Sequence, residues 1–134
     1  MKKDIEFPKV EGVEVAIARK PVADEEYDWH VYLINRNDFE IDNILVTSKG
    51  YGQKDGESQK TSTIRQMIDK VDKQSFVVIE RIDPQVFHLS NEYWISYYVD
   101  GKIYDKKFIF MPESIVDNNL TQIDMLDLEG ILHG

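Results

Sequence analysis

The chain contains no cysteine, and this absence excludes several kinds of chemistry at once. Without thiols there is no disulfide framework, no thiolate metal site and no cysteine nucleophile. Histidine is scarce as well, because only His30, His88 and His133 are present, and none shares the i, i+2 or i, i+4 spacing that places two ligands on one metal. We therefore predict neither a metal nor another cofactor.

Long apolar runs are missing, and positive charge is in short supply. No stretch approaches the roughly 20 apolar residues that cross a bilayer, and the charged start of the chain, residues 1–8, is unlike a signal peptide. We expect a cytoplasmic protein with no membrane association. The 25 acidic and 16 basic residues give a net charge of −9. This charge repels DNA and RNA at long range, so nucleic acid is not an expected ligand.

Motifs of catalysis and phosphate binding are absent from the sequence. There is no Gly-x-Ser-x-Gly, and Gly50-Tyr51-Gly52 is followed by Asp55 where a dinucleotide-binding loop needs its third glycine. The acidic cluster at 24–28 is interpreted as a solvated loop. We predict a protein that is not an enzyme. A hydrolase with two carboxylates about 5–10 Å apart in one cleft is the alternative.

What the sequence does contain is alternation of apolar and polar residues with period two, which indicates strands with one face in a core. Segment 61–71 fits a strand or a short helix, and the surrounding strands favour a strand. The polar, glycine-rich residues 50–60 are interpreted as an exposed, mobile loop. The second and third of the predicted strands are expected to pair. The clear strands lie at 13–19, 29–35, 44–48, 76–82, 93–99 and 102–111.

About seven short strands without βαβ alternation predict an all-β fold. The favoured architecture is an immunoglobulin-like antiparallel β-sandwich with at most one short helix, and a small β-barrel is the alternative. The length suits a single domain spanning 1–134. Residues 113–134 are both acidic and apolar, and we expect them to pack on the domain or on a partner, as a strand or a helix.

The dipeptide Asp100-Gly101 is the strongest local signal, because a type I′ hairpin turn needs positive φ at both central positions. Counting across this turn places Tyr97 opposite Tyr104. Alternation separates the hairpin aromatics into two sets, one in the core and one free to contact a partner. The two sets are Tyr93, Tyr97, Phe108 and Phe110, and Trp94 and Tyr98.

The function predicted from these patterns is binding to another protein or to a second copy of the chain. Tyrosine and tryptophan dominate the energetics of many interfaces, and the apolar C-terminal segment offers further contact area. A basic stretch, 49–73, also surrounds Tyr51, but acidic residues interrupt it, so we interpret it as a mixed-charge surface. The predicted interaction surface consists of Trp94, Tyr98, Tyr51, Leu128, Ile131 and Leu132.

Four segments, 29–35, 46–52, 91–97 and 100–108, resemble those of a family of short uncharacterised bacterial proteins. Some members carry the label phenylalanyl-tRNA synthetase subunit, which implies a role near tRNA or its synthetase as an alternative function. The chain has none of the arginine-bearing motifs of such a synthetase and is too short for its catalytic domain. The resemblance therefore implies no catalytic activity, and it assigns no functional residue.

Overall fold

The computed structural model describes residues 8–134, and it is built almost entirely of β-strands. Residues 1–7, on which the signal-peptide prediction rests, lie outside the described part. Helical geometry in residues 8–134 is limited to two three-residue 3-10 turns, Pro84–Val86 and Asp117–Asn119. The strands are β1 (Val13–Ala23), β2 (Glu26–Asn35), β3 (Ile41–Lys54), β4 (Glu57–Lys60), β5 (Ile64–Val71), β6 (Ser75–Arg81), β7 (Ser90–Val99), β8 (Lys102–Phe110), β9 (Thr121–Ile123) and β10 (Leu128–His133).

These strands form two antiparallel sheets that face each other across an apolar core. The first sheet has the order β6-β2-β1-β10-β9. The second has the order β4-β3-β7-β8, and β5 extends the β4 edge along β3. Pairing of β2 with β6, β3 with β7 and β7 with β8 is the immunoglobulin-like pattern of strands B–E, C–F and F–G. The predicted β-sandwich is confirmed, and the barrel alternative is wrong because neither sheet closes on itself.

The sequence favours a strand at 61–71, and this segment contains β5. The prediction of a mobile loop at 50–60 is wrong. Residues 50–60 form a hairpin, in which β3 continues to Lys54 and returns as β4 through a turn at Asp55 and Gly56. Both turn residues have positive φ, 53° and 79°, as a type I′ turn requires. The prediction of about seven strands is low because it omits β4, β9 and β10.

The expected pairing of β2 with β3 is also wrong, because the chain between them crosses from the first sheet to the second. The buried side chain of Asn35 holds this crossing in place. Its amide nitrogen lies 2.9 Å from the carbonyl oxygen of Phe39 and 3.1 Å from that of Asp72. One buried amide thus ties the loop after β2 to the loop after β5, alongside the backbone bond that Gln74 N–H donates to the Asn37 carbonyl oxygen.

Core packing follows the period-two alternation along the strands. On β7, Tyr93, Ile95 and Tyr97 point inward and are buried. The predicted hairpin register is confirmed, since Tyr97 lies opposite Tyr104 and their rings stack 5.2 Å apart. The inner set of hairpin aromatics is therefore core, and Trp94 and Tyr98 lie on the outer face of the second sheet.

The C-terminal segment covers the part of the outer face of the first sheet that lies over β1 and β2, whereas Phe76 and Val78 on β6 stay exposed. Strand β10 pairs with β1, and Gly130 lies so close to it that a Cβ atom there would be 2.5 Å from the carbonyl oxygen of Ile17. The turn between β9 and β10 then lies over small residues of β1. A second apolar cluster results, and it contains Ala16, Ala18, Tyr32, Ile34, Ile123 and Leu126, with Met125 and Leu128 packed against it.

Candidate interaction surface

The outer face of the second sheet carries a group of exposed apolar side chains that we call the Trp94 face. Trp94 is 42% exposed and Tyr98 is 38% exposed, whereas their neighbours on the inner side of β7 are buried. Strand pairing brings further apolar residues beside them, because Ile103 lies opposite Tyr98 on β8. The exposed apolar members of the Trp94 face are Leu45, Met67, Trp94, Tyr98 and Ile103.

Trp94 lies at the centre of this face and is oriented by two neighbours on β8. Its indole Nε1 donates a hydrogen bond to Asp105, and the Lys107 ammonium lies 4.7 Å from the ring centroid. A shallow depression of about 230 Å³ lies beside the ring, with Leu45 and Ile103 among its walls. A large ring held in one orientation loses little side-chain entropy on binding, which makes it a suitable anchor for a partner.

Tyr51 lies on the same face, further along β3. Its hydroxyl donates to Glu92 Oε1 over 3.2 Å, and the ammonium of Lys49 lies 3.8 Å from Glu92 Oε2. Burial and the hydrogen bond with Glu92 raise the pKa of Tyr51, so the hydroxyl stays protonated as the donor. Tyr51 lies opposite Ser90, which precedes Tyr98 by eight residues on β7. With about 3.3 Å per residue along a strand, the face therefore extends for about 26 Å from Tyr51 to Tyr98.

The other three residues of the predicted interaction surface lie on the first sheet. Ile131 packs against the main core, and Leu128 packs against the second apolar cluster. Only Leu132 is substantially exposed, at 38%. The structure thus brings together Trp94, Tyr98 and Tyr51, and it separates them from the C-terminal residues.

Sequence reasoning missed Leu45, Met67 and Ile103. The signal for Ile103 was present, because the hairpin count that pairs Tyr97 with Tyr104 also places Ile103 opposite Tyr98. Leu45 and Met67 join the face only through pairing of β3 with β7 and β5. Nothing local in the sequence specifies those non-local pairings.

Edge strands of both sheets carry features that oppose pairing with another chain. Lys106 on β8 lies opposite the core residue Ile95, so a charged side chain occupies the inner side of this edge. Glu80 on β6 lies opposite the core residue Val31, next to a bulge. Inward-pointing charges and bulges at edges prevent sheet extension. The edges at β6 and β8 are therefore protected against sheet extension.

A cleft of about 330 Å³ opens between β3 and β6, where the two sheets diverge. Residues 61–63, which connect β4 to β5, belong to neither strand, and Thr61 and Ser62 line the cleft. Glu80 accepts hydrogen bonds from Ser48 Oγ over 3.2 Å and from the Tyr93 hydroxyl over 2.9 Å. Burial, and then the charge of Glu80, raise the pKa of Tyr93, so this phenol remains a donor.

No group of three or more His, Asp or Glu side chains among residues 8–134 is arranged to hold a metal ion. Across the same range, no helix has the length and apolar character needed to cross a membrane.

The basic stretch 49–73 is partly neutralised by nearby acids. Lys49 pairs with Glu92, and Lys70 lies 3.7 Å from carboxylate oxygens of both Glu40 and Asp72. These contacts agree with the interpretation of a mixed-charge surface.

Together, the fold and this face define a β-sandwich with immunoglobulin-like strand pairing and an exposed apolar group on the outer face of its second sheet. Comparison of the chain with family models, with curated proteins and with solved structures found no match. The resemblance to a bacterial family therefore stays a prediction, and the function is argued from the geometry of the chain itself.

Proposed function

We propose that this protein is a non-catalytic interaction module that binds another protein through the Trp94 face. One observation carries the proposal: an oriented tryptophan lies exposed at the centre of an apolar face on a rigid sheet. Exposed apolar groups of this kind mark interaction sites on soluble domains. Trp and Tyr anchors surrounded by aliphatic side chains are the composition of interface hot spots.

The occupant we favour is a different protein with a neutral or basic contact surface, rather than a second copy of the chain. Each copy carries a net charge of −9, so two copies repel one another at long range. The same charge attracts a basic partner and accelerates its association. Because the chain has no cysteine, we also propose that the module acts in the reducing cytoplasm.

Two alternative functions have weaker support. A hydrolase needs one carboxylic acid that donates a proton and one carboxylate that acts as base or nucleophile. The cleft does contain Glu80 and Asp83, but both accept hydrogen bonds, Glu80 from two hydroxyls and Asp83 from the backbone amide of Gln85. A role near tRNA needs a positive patch, but acidic residues interrupt the basic stretch 49–73, and its Lys49 and Lys70 form ion pairs.

The test combines two face variants with a matched control on the opposite sheet. Trp94→Ser and Tyr98→Ser remove exposed rings from the Trp94 face, and Phe76→Ser removes a ring that is 39% exposed on the first sheet. Partners captured from an extract of the source cells would be purified, and their binding to all four proteins measured by calorimetry. We expect the Trp94 variant to bind at least about tenfold more weakly, because hot-spot truncation costs about 2 kcal/mol or more.

The control decides between specific and general loss of binding. Wild type and Phe76→Ser should bind the partner equally, with Tyr98→Ser intermediate. Unchanged binding of Trp94→Ser would contradict the proposal. Sedimentation velocity of the wild-type protein is the second arm, and dimers that dissociate in Trp94→Ser would assign the face to a second copy instead.

A further inference from the structure

Two carboxylate–tyrosine pairs in this protein differ in one respect, and the difference points to a ligand. On the Trp94 face, Glu92 accepts a hydrogen bond from Tyr51 and has the Lys49 ammonium 3.8 Å away. In the cleft, Glu80 accepts hydrogen bonds from Tyr93 and Ser48. Within residues 8–134, however, no Lys, Arg or His side chain forms an ion pair with Glu80.

The two basic side chains that line the cleft form ion pairs with carboxylates other than Glu80. Lys49 and Arg81 both line the cleft, but Lys49 pairs with Glu92, and Arg81 pairs with Asp28 over 3.2 Å. Glu80 is only partly exposed, and a carboxylate withdrawn from water is costly without a compensating charge. The protein therefore leaves a negative group at the cleft without a positive partner from the described chain.

Hydrogen-bonding capacity at Glu80 is also incompletely used. An ionised carboxylate offers about four acceptor sites, and Ser48 and Tyr93 occupy two of them. Asn91 donates its amide hydrogens to the carbonyl oxygens of Val86 and Leu89, which leaves its side-chain oxygen as an acceptor at the cleft. These acceptors match a ligand that is rich in N–H donors.

The shape of the cleft fits a small group on an apolar stem. Gly50 packs closely against other residues of the lining, since a Cβ there would lie 3.1 Å from Thr61 Cγ2 and 3.4 Å from Asn91 Oδ1. Ile64, Ile82 and Val86 supply apolar walls. A volume of about 330 Å³ is at the lower end of the range for small-ligand sites.

We propose that the cleft between β3 and β6 binds an alkylammonium or alkylguanidinium group through the carboxylate of Glu80. The group enters with its positive end on Glu80 and its alkyl stem against the apolar wall. Such a group belongs either to a free amine or guanidine or to a Lys or Arg side chain of another protein. This site is separate from the Trp94 face, because Glu80 and Tyr93 lie on the inner side of the sheets.

The probes are butylguanidinium, its neutral isostere butylurea, and the peptide acetyl-Gly-Arg-Gly-amide, each titrated into the wild-type protein and followed by NMR. We expect saturable binding of a cation at concentrations up to about 10 mM, ten times a ~1 mM dissociation constant, and none of butylurea. Tighter binding of the peptide would assign the site to a protein side chain, and tighter binding of butylguanidinium would assign it to a free small molecule.

Matched variants identify the carboxylate. Glu80→Gln should weaken cation binding by about tenfold or more, the loss expected for a charged hydrogen bond. Glu57→Gln on β4 changes the net charge equally at an exposed side chain that does not line the cleft, and it should bind as wild type does. A second pair keeps the test valid if Glu80→Gln does not fold: Ser62→Lys places an ammonium at the cleft and should block binding, whereas Ser58→Lys on β4 should not.

Three results would overturn the proposal: no saturable binding of either cation to the wild-type protein, equal binding of butylurea, or unchanged binding to both Glu80→Gln and Ser62→Lys. Thermal unfolding with and without butylguanidinium gives an independent readout, because a ligand that binds only the folded state raises the midpoint. The rise should be present in Glu57→Gln and absent from Ser62→Lys.

Discussion

The outer faces of the two sheets have strands of similar composition, but they differ in whether their apolar side chains are covered. Both carry apolar residues between the polar positions, with Tyr32 and Ile34 on the first sheet and Trp94 and Tyr98 on the second. On the first sheet, the chain's own C-terminal segment covers them. On the second, nothing in residues 8–134 covers Trp94, which stays 42% exposed.

This difference shows that the apolar side chains on the outer face of a sheet can be covered by another segment of the same chain or left open to a separate molecule. The covering segment of the first sheet is held by pairing of β10 with β1, and Gly130 permits the close contact. The Trp94 face has no such segment in the described chain. Its open state is what leads us to propose a protein partner there.

The largest expected effect comes from truncating one apolar side chain on each outer face. Ile34 is fully buried under the C-terminal segment, so Ile34→Ala should lower the free energy of unfolding by about 2–5 kcal/mol. Leu45 lies on the open face, and Leu45→Ala should cost less than about 1 kcal/mol. Urea unfolding followed by fluorescence measures both. Equal losses would mean that the two faces are equally covered.

The next effect tests how closely the covering strand approaches β1. A Cβ at position 130 would lie 2.8 Å from both Cα and Cβ of Ala18, so Gly130→Ala should destabilise the fold by about 1–3 kcal/mol. Leu132→Ala is the control on the same strand and should have the smaller effect, because Leu132 is partly exposed. Thermal unfolding compares them, and a Gly130→Ala protein as stable as wild type would contradict the close contact.

A third prediction tests the burial of Tyr97, on the inner side of β7, through the pH dependence of stability. Burial, and then the neighbouring Tyr104, raise the pKa of Tyr97 from 10.0 to about 12. The folded state therefore keeps this proton after the unfolded state has lost it, so stability should fall as pH rises from 10 to about 12. The unfolding free energy of wild type and Tyr97→Phe over this range checks the sign. A slope that is unchanged in Tyr97→Phe would exclude Tyr97 as its source.

The smallest effect is spectroscopic. The chain has two tryptophans, and each is isolated by replacing the other with phenylalanine. Trp94 lies on the open face, whereas Trp29 is half-buried and packs edge-on against Phe87. Acrylamide should therefore quench the Trp29→Phe protein more strongly than the Trp94→Phe protein. Equal quenching would indicate that the Trp94 face is covered in solution.

Sequence reasoning succeeded where the signal was local. Asp100-Gly101 lies between two strongly alternating strands, and the turn and the register were both predicted correctly. Asp55-Gly56 carries the same turn signal, but its return strand, Glu57–Lys60, has no apolar residue. The sequence of this segment therefore predicts a loop. A β-strand at an edge is stabilised by backbone pairing with its neighbour, and that pairing leaves no mark in the polar residues themselves.

Non-local pairings account for the remaining errors and for much of the candidate site. The pairing of β3 with β7 and the crossing between sheets after Asn35 depend on contacts between residues that are far apart in the chain. Those contacts bring Leu45 to Trp94, and they bring Ser48 and Tyr93 to Glu80. Neither the Trp94 face nor the cleft was predictable in full from local patterns.

By itself, the sequence determined the β-strand character of the chain and which hairpin residues share a face, because alternation and turn chemistry act over a few neighbouring residues. Only the tertiary structure decided that the C-terminal segment covers the first sheet and leaves Trp94 exposed on the second. The physical reason is that the burial of a side chain depends on which distant segment packs over it, and strand periodicity carries no information about that segment.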